Sequence, residues 1–219
     1  MQTKFGLAVA LLVAIFAIGL HSGAARARSR LFHDATVPTL LIEASPTLAP
    51  FQHVRFCIRY PAECRSNPGE DESINLTDEN SQLLSRVNRG VNTAIIPATK
   101  SYGKNLQDGW TIAPSAGDCN DYAVTKRHEL LQSGLPAKAL RLAVVKTASE
   151  IGHLVLVVAT TNGDLVLDNL TEAIRPWQIT DYHWLKIQSA KDARFWYDIK
   201  VPGVFLSQAD RKQRLAQRQ

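Results

Sequence analysis

The stretch GHLVLVVATTNGDLVLDNL, residues 152–170, decides the fold because it predicts two adjacent β-strands. Its first half contains the nearly unbroken apolar run LVLVVA (154–159), whose Val and Leu residues are typical of strands. An unbroken apolar run, in contrast to an alternating one, indicates a strand that is covered on both faces. The pair Asn162-Gly163 indicates a turn, and residues 165–167 return as a second strand. We therefore expect a sheet with this strand in its interior.

Segments before and after this stretch, in the C-terminal half of the chain, predict the rest of that sheet. Residues 139–145 are dense in Val and Leu, and the segments 182–187 and 195–199 combine aromatic with aliphatic residues. Trp184 and Trp196 are the expected core side chains of the last two strands. Because the predicted helices precede a largely antiparallel sheet, the fold class is α+β.

A helix is predicted before the sheet, with Thr77 or Asp78 as its N-cap and its end before Pro97. Apolar residues recur there at three- and four-residue spacing, as expected for one buried helix face. They are Leu83, Leu84, Val87, Val91 and Ile95. This pattern predicts an amphipathic helix that packs on the sheet.

The N-terminus is typical of a secretory signal peptide covering residues 1–27. Lys4 precedes a continuous apolar run at 7–20, and Ala25-Arg26-Ala27 supplies a cleavage site with small residues. An uncleaved anchor is the alternative, although the run is short for a bilayer core of about 30 Å. The sequence therefore predicts an exported protein, periplasmic in a bacterium.

Cleavage would leave a chain with only a mild positive charge. It removes Lys4 and Arg26 from the 25 basic residues and none of the 20 acidic ones, which leaves a net charge of +3. This charge does not indicate nucleic-acid binding. We expect a loop-rich segment at 28–71, the main domain at 72–205, and a solvated basic tail at 206–219.

The cysteines divide into a close pair and a single residue. Cys57 and Cys64 lie seven positions apart in FCIRYPAEC, and an oxidising compartment favours a local disulfide between them. A zinc site is the competing interpretation, but no His or Cys is near enough in sequence to complete a usual ligand set. Cys119 is then left over.

Cys119 is at the predicted start of a second helix, which we expect to end near Ser133 because Gly134 is a C-cap residue and Pro136 cannot continue the helix. A helix N-terminus stabilises a thiolate through its free N–H groups and its dipole. The aspartates on either side, Asp118 and Asp121, act in the opposite direction. Cys119 is therefore either an inert buried thiol or a nucleophile that needs further partners.

His153 and Asp168 are the candidate partners. His153 begins the apolar strand and could activate the thiol, and Asp168 follows the next strand and could hold the second imidazole nitrogen. The alternatives are a structural histidine and a turn aspartate. With Cys119 as the nucleophile, His153 would be the base and Asp168 the orienting carboxylate.

The expected turn tests whether His153 and Asp168 can meet. A two-residue turn at Asn162-Gly163 would place Val157 opposite Asp168, so that His153 would be four positions away, or about 13 Å. Contact would then require a wider loop or a bulge. We therefore predict that this turn is not a tight two-residue one.

Two motifs resemble the bacterial transglutaminase-like cysteine peptidases: GDCNDYAVTKRHELLQSG with its following Leu-Pro, and GHLVLVVATTNGDLVLDNL. FCIRYPAEC, DGW and YHWLKIQS match more loosely, and the resemblance extends from about residue 56 to 201. It implies a papain-like or transglutaminase-like α+β fold and a triad of Cys119, His153 and Asp168. It also implies a periplasmic protease that clips surface adhesins to release biofilm cells and is sequestered by an inner-membrane receptor.

The resemblance further implies that calcium binds through Asp118, Asn120 and Asp121. A divalent cation would offset the carboxylates beside the thiolate. Asn120 stands where the family usually has Glu, which removes one negative charge. The alternative role for Asp118 and Asp121 is ordinary helix capping.

The expected reaction is peptide hydrolysis through a thioester. Backbone N–H groups at the helix start would hold the oxyanion, with Trp110 or another group of the preceding loop as a further donor; packing is the alternative role for Trp110. The same triad could transfer the acyl group to an amine, as transglutaminases do. A secreted binding module without activity is the non-enzymatic alternative, which Asn120 and the turn register favour.

Overall fold

The computed structural model describes residues 40–103 and 108–200. The predicted signal peptide (1–27) and basic tail (206–219) lie outside these residues. Within them, three α-helices precede most of a seven-stranded antiparallel sheet, which is the predicted α+β arrangement. None of the helices in the described ranges has the length and apolar character that crossing a bilayer requires.

The sheet has the strand order β1-β9-β8-β4-β5-β6-β7, and every neighbouring pair is antiparallel. Its strands are β1 (Ile42–Thr47), β4 (Leu140–Lys146), β5 (Gly152–Thr160), β6 (Gly163–Leu167), β7 (Arg175–Pro176), β8 (His183–Gln188) and β9 (Trp196–Lys200). A separate parallel pair joins β2 (Ile96–Pro97) to β3 (Ala116–Gly117). The strands predicted from Val, Leu and aromatic content are therefore confirmed.

β5 is buried on both faces, as its apolar run predicts. Leu154, Leu156 and Val158 belong to the core under the helices. Val155 and Val157 belong to a second core on the opposite face, which Trp177 and Trp184 complete. Because apolar layers cover both sides, the strand needs no polar alternation.

The two longer helices, α2 (Asp78–Ala94) and α3 (Cys119–Gln132), pack on the first of these cores. Thr77 is the N-cap of α2, where its hydroxyl accepts the Asn80 N–H at 3.2 Å. α3 ends before Gly134, which has a φ of +88° and is the residue type that this backbone conformation favours. Both helices therefore begin and end where the sequence predicts.

The expectation of a loop-rich segment at 28–71 is wrong for its described part. This part contains β1 and the helix α1 (Phe51–Arg59), and a 3₁₀ helix covers Pro61–Cys64. β1 is an edge strand that pairs with β9 at the far end of the chain. A strand that is completed by so distant a partner, and that contains Pro46, has little local signal.

The prediction of a wide turn between β5 and β6 is also wrong. Thr160 pairs with Gly163, so the loop consists of the two residues Thr161 and Asn162. Gly163 has a φ of +116°, a conformation that glycine adopts readily. The turn is thus one residue earlier than expected, and the register would place Val155, rather than Val157, opposite residue 168.

Candidate active site

The start of α3 is built around a reciprocal capping arrangement. The Asp118 carboxylate accepts the Asn120 N–H at 3.0 Å, and the Asp121 carboxylate accepts the Asp118 N–H at 3.0 Å. A Cβ on Gly117 would be only 2.4 Å from Asp121 Oδ2, so the turn requires glycine at that position. These contacts fix the backbone on both sides of Cys119, the first residue of the helix.

Cys119 is a free and partly exposed thiol in a cleft of about 410 Å³. His153 lines the same cleft, at the beginning of β5. The thiol is close enough to the imidazole to contribute to the raised pKa of His153. The helix N-terminus and the strand N-terminus therefore bring the thiol and the imidazole together across the helix–sheet interface.

His153 also contacts Asp168, which follows β6. Its Nε2 is 2.8 Å from Asp168 Oδ1, and both side chains are buried. With Nε2 bonded to the carboxylate, Nδ1 is the nitrogen that faces the thiol. The contact is compatible with a tight turn because the β5–β6 register makes His153 and Asp168 diagonal neighbours.

Three further groups hold Asp168 in place. The Tyr182 hydroxyl donates to Oδ2, and the Leu170 N–H donates to Oδ1 at 3.1 Å. Asn92 on α2 donates its amide to the Asp168 carbonyl at 2.9 Å. The His153 and Tyr182 rings also lie 5.8 Å apart between centroids. The carboxylate therefore has a fixed orientation toward His153.

The electrostatics of this group favour a charged imidazole. Burial alone would lower the pKa of His153, but the hydrogen bonds and charges of Asp168 and Cys119 raise it to about 9. Burial alone would raise the pKa of Asp168, but the hydrogen bond and charge of His153 leave it below the usual value. An imidazolium paired with a carboxylate is therefore the stable state near neutral pH.

The residues expected to bind calcium are already engaged with one another. Asp121 is fully buried; its Oδ1 accepts the Lys100 ammonium at 2.8 Å and the Thr111 N–H at 2.8 Å. The Tyr102 hydroxyl donates to Asp118 Oδ2, and the Asn120 amide donates to Tyr102 at 2.6 Å. Calcium requires six to eight oxygen ligands. This donor set does not fit calcium, because its oxygens accept hydrogen bonds and an ammonium lies among them.

The other two cysteines form a second, separate cluster. Cys57 and Cys64 are joined by a disulfide, with their Cα atoms 5.6 Å apart, as predicted. His53 is buried beside it, with Nε2 3.5 Å from Cys57 Sγ. His53 is four residues before Cys57 on the same helix, so the sequence argument that no His lies near the pair is wrong. Since both sulfurs are in the disulfide, the zinc alternative is not supported here.

Sequence reasoning missed several residues of the active-site region. Tyr182 falls in a predicted strand without a catalytic role, and Lys100 and Tyr102 belong to none of the motifs that the sequence singles out. The resemblance to YHWLKIQS contained the only signal for Tyr182, and nothing local distinguished the other two. Their contacts with Asp168, Asp121 and Asp118 exist only because the chain folds back on itself.

Solved structures of LapG from Legionella pneumophila are similar to this chain. The calcium-bound structure is 18% identical with a TM-score of 0.46, and the match covers 78% of this chain and 93% of that one. A second LapG structure is 18% identical with a TM-score of 0.43, covering 78% and 89%. An EGTA-treated one is 17% identical with a TM-score of 0.41, covering 76% and 91%.

The family comparison is made on the sequence itself. No curated protein matches the chain. The profile of the bacterial transglutaminase-like cysteine proteinases matches residues 43–203, which is most of the 219-residue chain. Members of this family are cysteine peptidases, and a peptidase acts on a protein or peptide substrate. The chain belongs to the bacterial transglutaminase-like cysteine proteinase family.

Proposed function

We propose that the chain hydrolyses peptide bonds through a thioester, with Cys119 as nucleophile, His153 as general acid and base, and Asp168 as the orienting carboxylate. The observation that carries this proposal is the position of His153. One side of its ring contacts the free thiol, and the other is 2.8 Å from Asp168. The thiol also opens to a cleft that could admit a peptide.

In the first step the Cys119 sulfur attacks the carbonyl carbon of the scissile bond. The thiol proton is held by His153, and the developing oxyanion collapses as the C–N bond breaks. His153 gives its proton to the departing amine. The products of this step are an amine fragment and a thioester on Cys119.

In the second step a water molecule attacks the thioester. His153 takes the water proton, and the new C–O bond forms as the C–S bond breaks. The sulfur leaves as a thiolate and the water proton stays on His153, which restores the starting pair of thiolate and imidazolium. Water is the only co-reactant, so the net reaction is hydrolysis.

The oxyanion would be stabilised by the N-terminus of α3. Backbone N–H groups at a helix start carry partial positive charge, and Cys119 is the first residue of that helix. Trp110 lines the same cleft but is only 3% exposed, so its indole also packs in the core. We assign the main oxyanion role to the backbone.

The cleft supports a substrate segment with an apolar side chain. Phe51, Val144 and Leu154 line it on one side, and Lys186 adds a positive charge. Phe51 is 72% exposed, so an extended chain could contact it directly. The family resemblance, and not the cleft, supports a surface or adhesin-type protein as substrate, cleaved in the periplasm and controlled there by an inner-membrane receptor.

Calcium is not part of this mechanism. The carboxylates of Asp118 and Asp121 are used by the helix cap, by Tyr102 and by Lys100. No step of the reaction is assigned to a metal ion.

The test is cleavage of an unstructured protein substrate by the purified periplasmic form and by Cys119→Ala, with products identified by mass spectrometry. We expect two fragments from the wild type, and turnover reduced by about 10⁴-fold or more in the variant with its fold retained. Unchanged turnover would remove the proposal. An isopeptide or an exchanged amine would establish acyl transfer, and absence of both products would favour the binding module.

A further inference from the structure

A lysine ammonium forms an ion pair with the buried carboxylate of Asp121, two residues after the nucleophile. Lys100 Nζ is 2.8 Å from Asp121 Oδ1 and 2.9 Å from the carbonyl oxygen of Gly109. Its side chain is 21% exposed, and the Asp121 side chain is fully buried. The ammonium therefore offsets a carboxylate that has no access to water.

The same carboxylate organises three separate parts of the chain. Asp121 Oδ1 also accepts the Thr111 N–H, and its Oδ2 accepts the N–H of Asp118. The loop before β3, the turn at Gly117 and the start of α3 are thus held by one side chain. Removal of its counter-charge would leave a buried charge among backbone dipoles, which is costly.

The second carboxylate of the turn, that of Asp118, accepts hydrogen bonds from uncharged groups. Asp118 accepts from the Tyr102 hydroxyl and from both the backbone and side-chain N–H groups of Asn120. Asn120 directs its amide nitrogen, a donor, toward both Tyr102 and Asp118. A cation placed among these residues would meet N–H groups as well as oxygens.

We propose that Lys100 is the built-in cation of the Cys119 turn and that this chain does not bind calcium there. An ion would have to expel the ammonium from Asp121 and reverse the Asn120 amide before it could find its ligands. One ammonium serves this turn because it pairs with the buried carboxylate of Asp121, while Asp118 accepts hydrogen bonds from Tyr102 and Asn120. Lys100 is a positioning residue that acts on Cys119 through Asp121.

Calcium binding is tested on the full wild-type protein by titration calorimetry and by thermal unfolding in calcium chloride or in excess chelator. We expect no binding heat above dilution and the same Tm in both solutions. Saturable one-to-one binding that protects the fold would overturn the inference; at 100-fold excess over Kd it would raise Tm by about 5 °C or more. These readouts need no turnover, so they are independent of the proposed triad.

The role of the ammonium is tested by the rate of Cys119 alkylation with iodoacetamide near pH 6. Lys100→Met keeps the aliphatic stem and removes the charge, and we expect alkylation to slow by about tenfold. Lys100→Arg should retain most of the wild-type rate. Lys146→Met is the matched control, because Lys146 pairs with Glu150 on an exposed strand end. Wild-type alkylation in Lys100→Met would overturn the inference.

Discussion

Two buried histidines, His53 and His153, each contact a cysteine, yet their surroundings give them opposite properties. His53 is 1% exposed and His153 is 7% exposed, so burial does not distinguish them. Burial and the charge of Arg127 lower the pKa of His53 to about 4. The pKa of His153 rises to about 9 although burial acts on it in the same direction.

The difference arises from the groups that touch each ring. Trp196 donates its indole N–H to His53 Nδ1 at 3.1 Å, and this bond requires a neutral imidazole acceptor. His53 Nε2 lies 2.9 Å from the Gln188 amide nitrogen and near the disulfide sulfurs. His153 instead contacts the carboxylate of Asp168, which stabilises an imidazolium.

The comparison shows that a histidine beside a cysteine is not by itself a catalytic pair. At His53 the sulfurs are bonded to each other and the ring is a neutral acceptor in the core. At His153 the sulfur is free, and the carboxylate prepares the ring to hold a proton. The carboxylate and the free thiol, rather than burial, distinguish the surroundings of the two rings.

The largest expected effect comes from the same substitution at both histidines. His153→Asn should reduce turnover per folded molecule by about 10⁴-fold or more, because it removes the proton carrier. His53→Asn should lower the free energy of unfolding by about 2 to 4 kcal/mol and leave turnover per folded molecule unchanged. Peptidase assays and urea unfolding check both. A large loss of turnover at His53 would contradict the comparison.

Removal of the Asp168 carboxylate should lower the pKa of His153, which would make it more similar to His53. Asp168→Asn is expected to reduce turnover by about 10³- to 10⁴-fold, because the imidazolium loses its partner and its orientation. The alkaline limit of activity should move to lower pH. The control is Asp181→Asn, which changes an exposed carboxylate nearby. An unchanged pH profile in Asp168→Asn would show that the carboxylate does not tune the ring.

The pH dependence of stability should have opposite signs at the two sites. The raised pKa of His153 stabilises the fold fully below about 6.5, and this contribution disappears as pH rises through about 9. His53 has a lowered pKa, so the fold loses stability as pH falls from about 6.5 toward 4.

Urea unfolding from pH 4 to pH 10 measures the free energy of unfolding over both intervals. Each asparagine variant should weaken the pH dependence over the interval that belongs to its own histidine. Turnover should also fall as pH rises through about 9, since His153 then loses the proton that the leaving amine requires. An asparagine variant whose stability depends on pH as the wild type does would refute the assignment of that histidine.

The smallest expected effect is that of Tyr182→Phe. It removes one hydrogen bond to Asp168 and leaves the contact with His153 in place. We expect turnover to fall by about tenfold, and the alkaline limit to remain near its wild-type position. Tyr197→Phe on β9 provides the control. Turnover equal to that of the wild type would show that Tyr182 does not contribute to positioning Asp168.

Sequence patterns were sufficient where the deciding forces are local. The Thr77 cap, the end of α3 before Gly134 and the apolar run of β5 each depend on neighbours within a few residues. The pairing of Cys57 with Cys64 is likewise a short-range property in an oxidising compartment. These features follow from capping, periodicity and spacing, which can be read along the chain.

The wrong and missing predictions concern contacts between distant segments. β1 becomes a strand only through β9, and Lys100 acquires its role only beside Asp121. The turn after β5 shifted by one residue because Gly163, with its positive φ, follows the loop instead of forming part of it. A shift of this size decides which residues are opposite each other, and no local rule sets it.

The sequence alone determined the type of fold and the three residue types that could form a reactive group. It did so because helix caps, strand runs and the isolated Cys119 have local physical causes. Only the tertiary structure decided that His53 lies beside the Cys57–Cys64 disulfide, whereas the sequence already named His153 as the partner of Cys119. The tertiary structure also decided that Lys100 lies against Asp121, because charge stabilisation at a buried site depends on which distant groups the fold brings within a few ångströms.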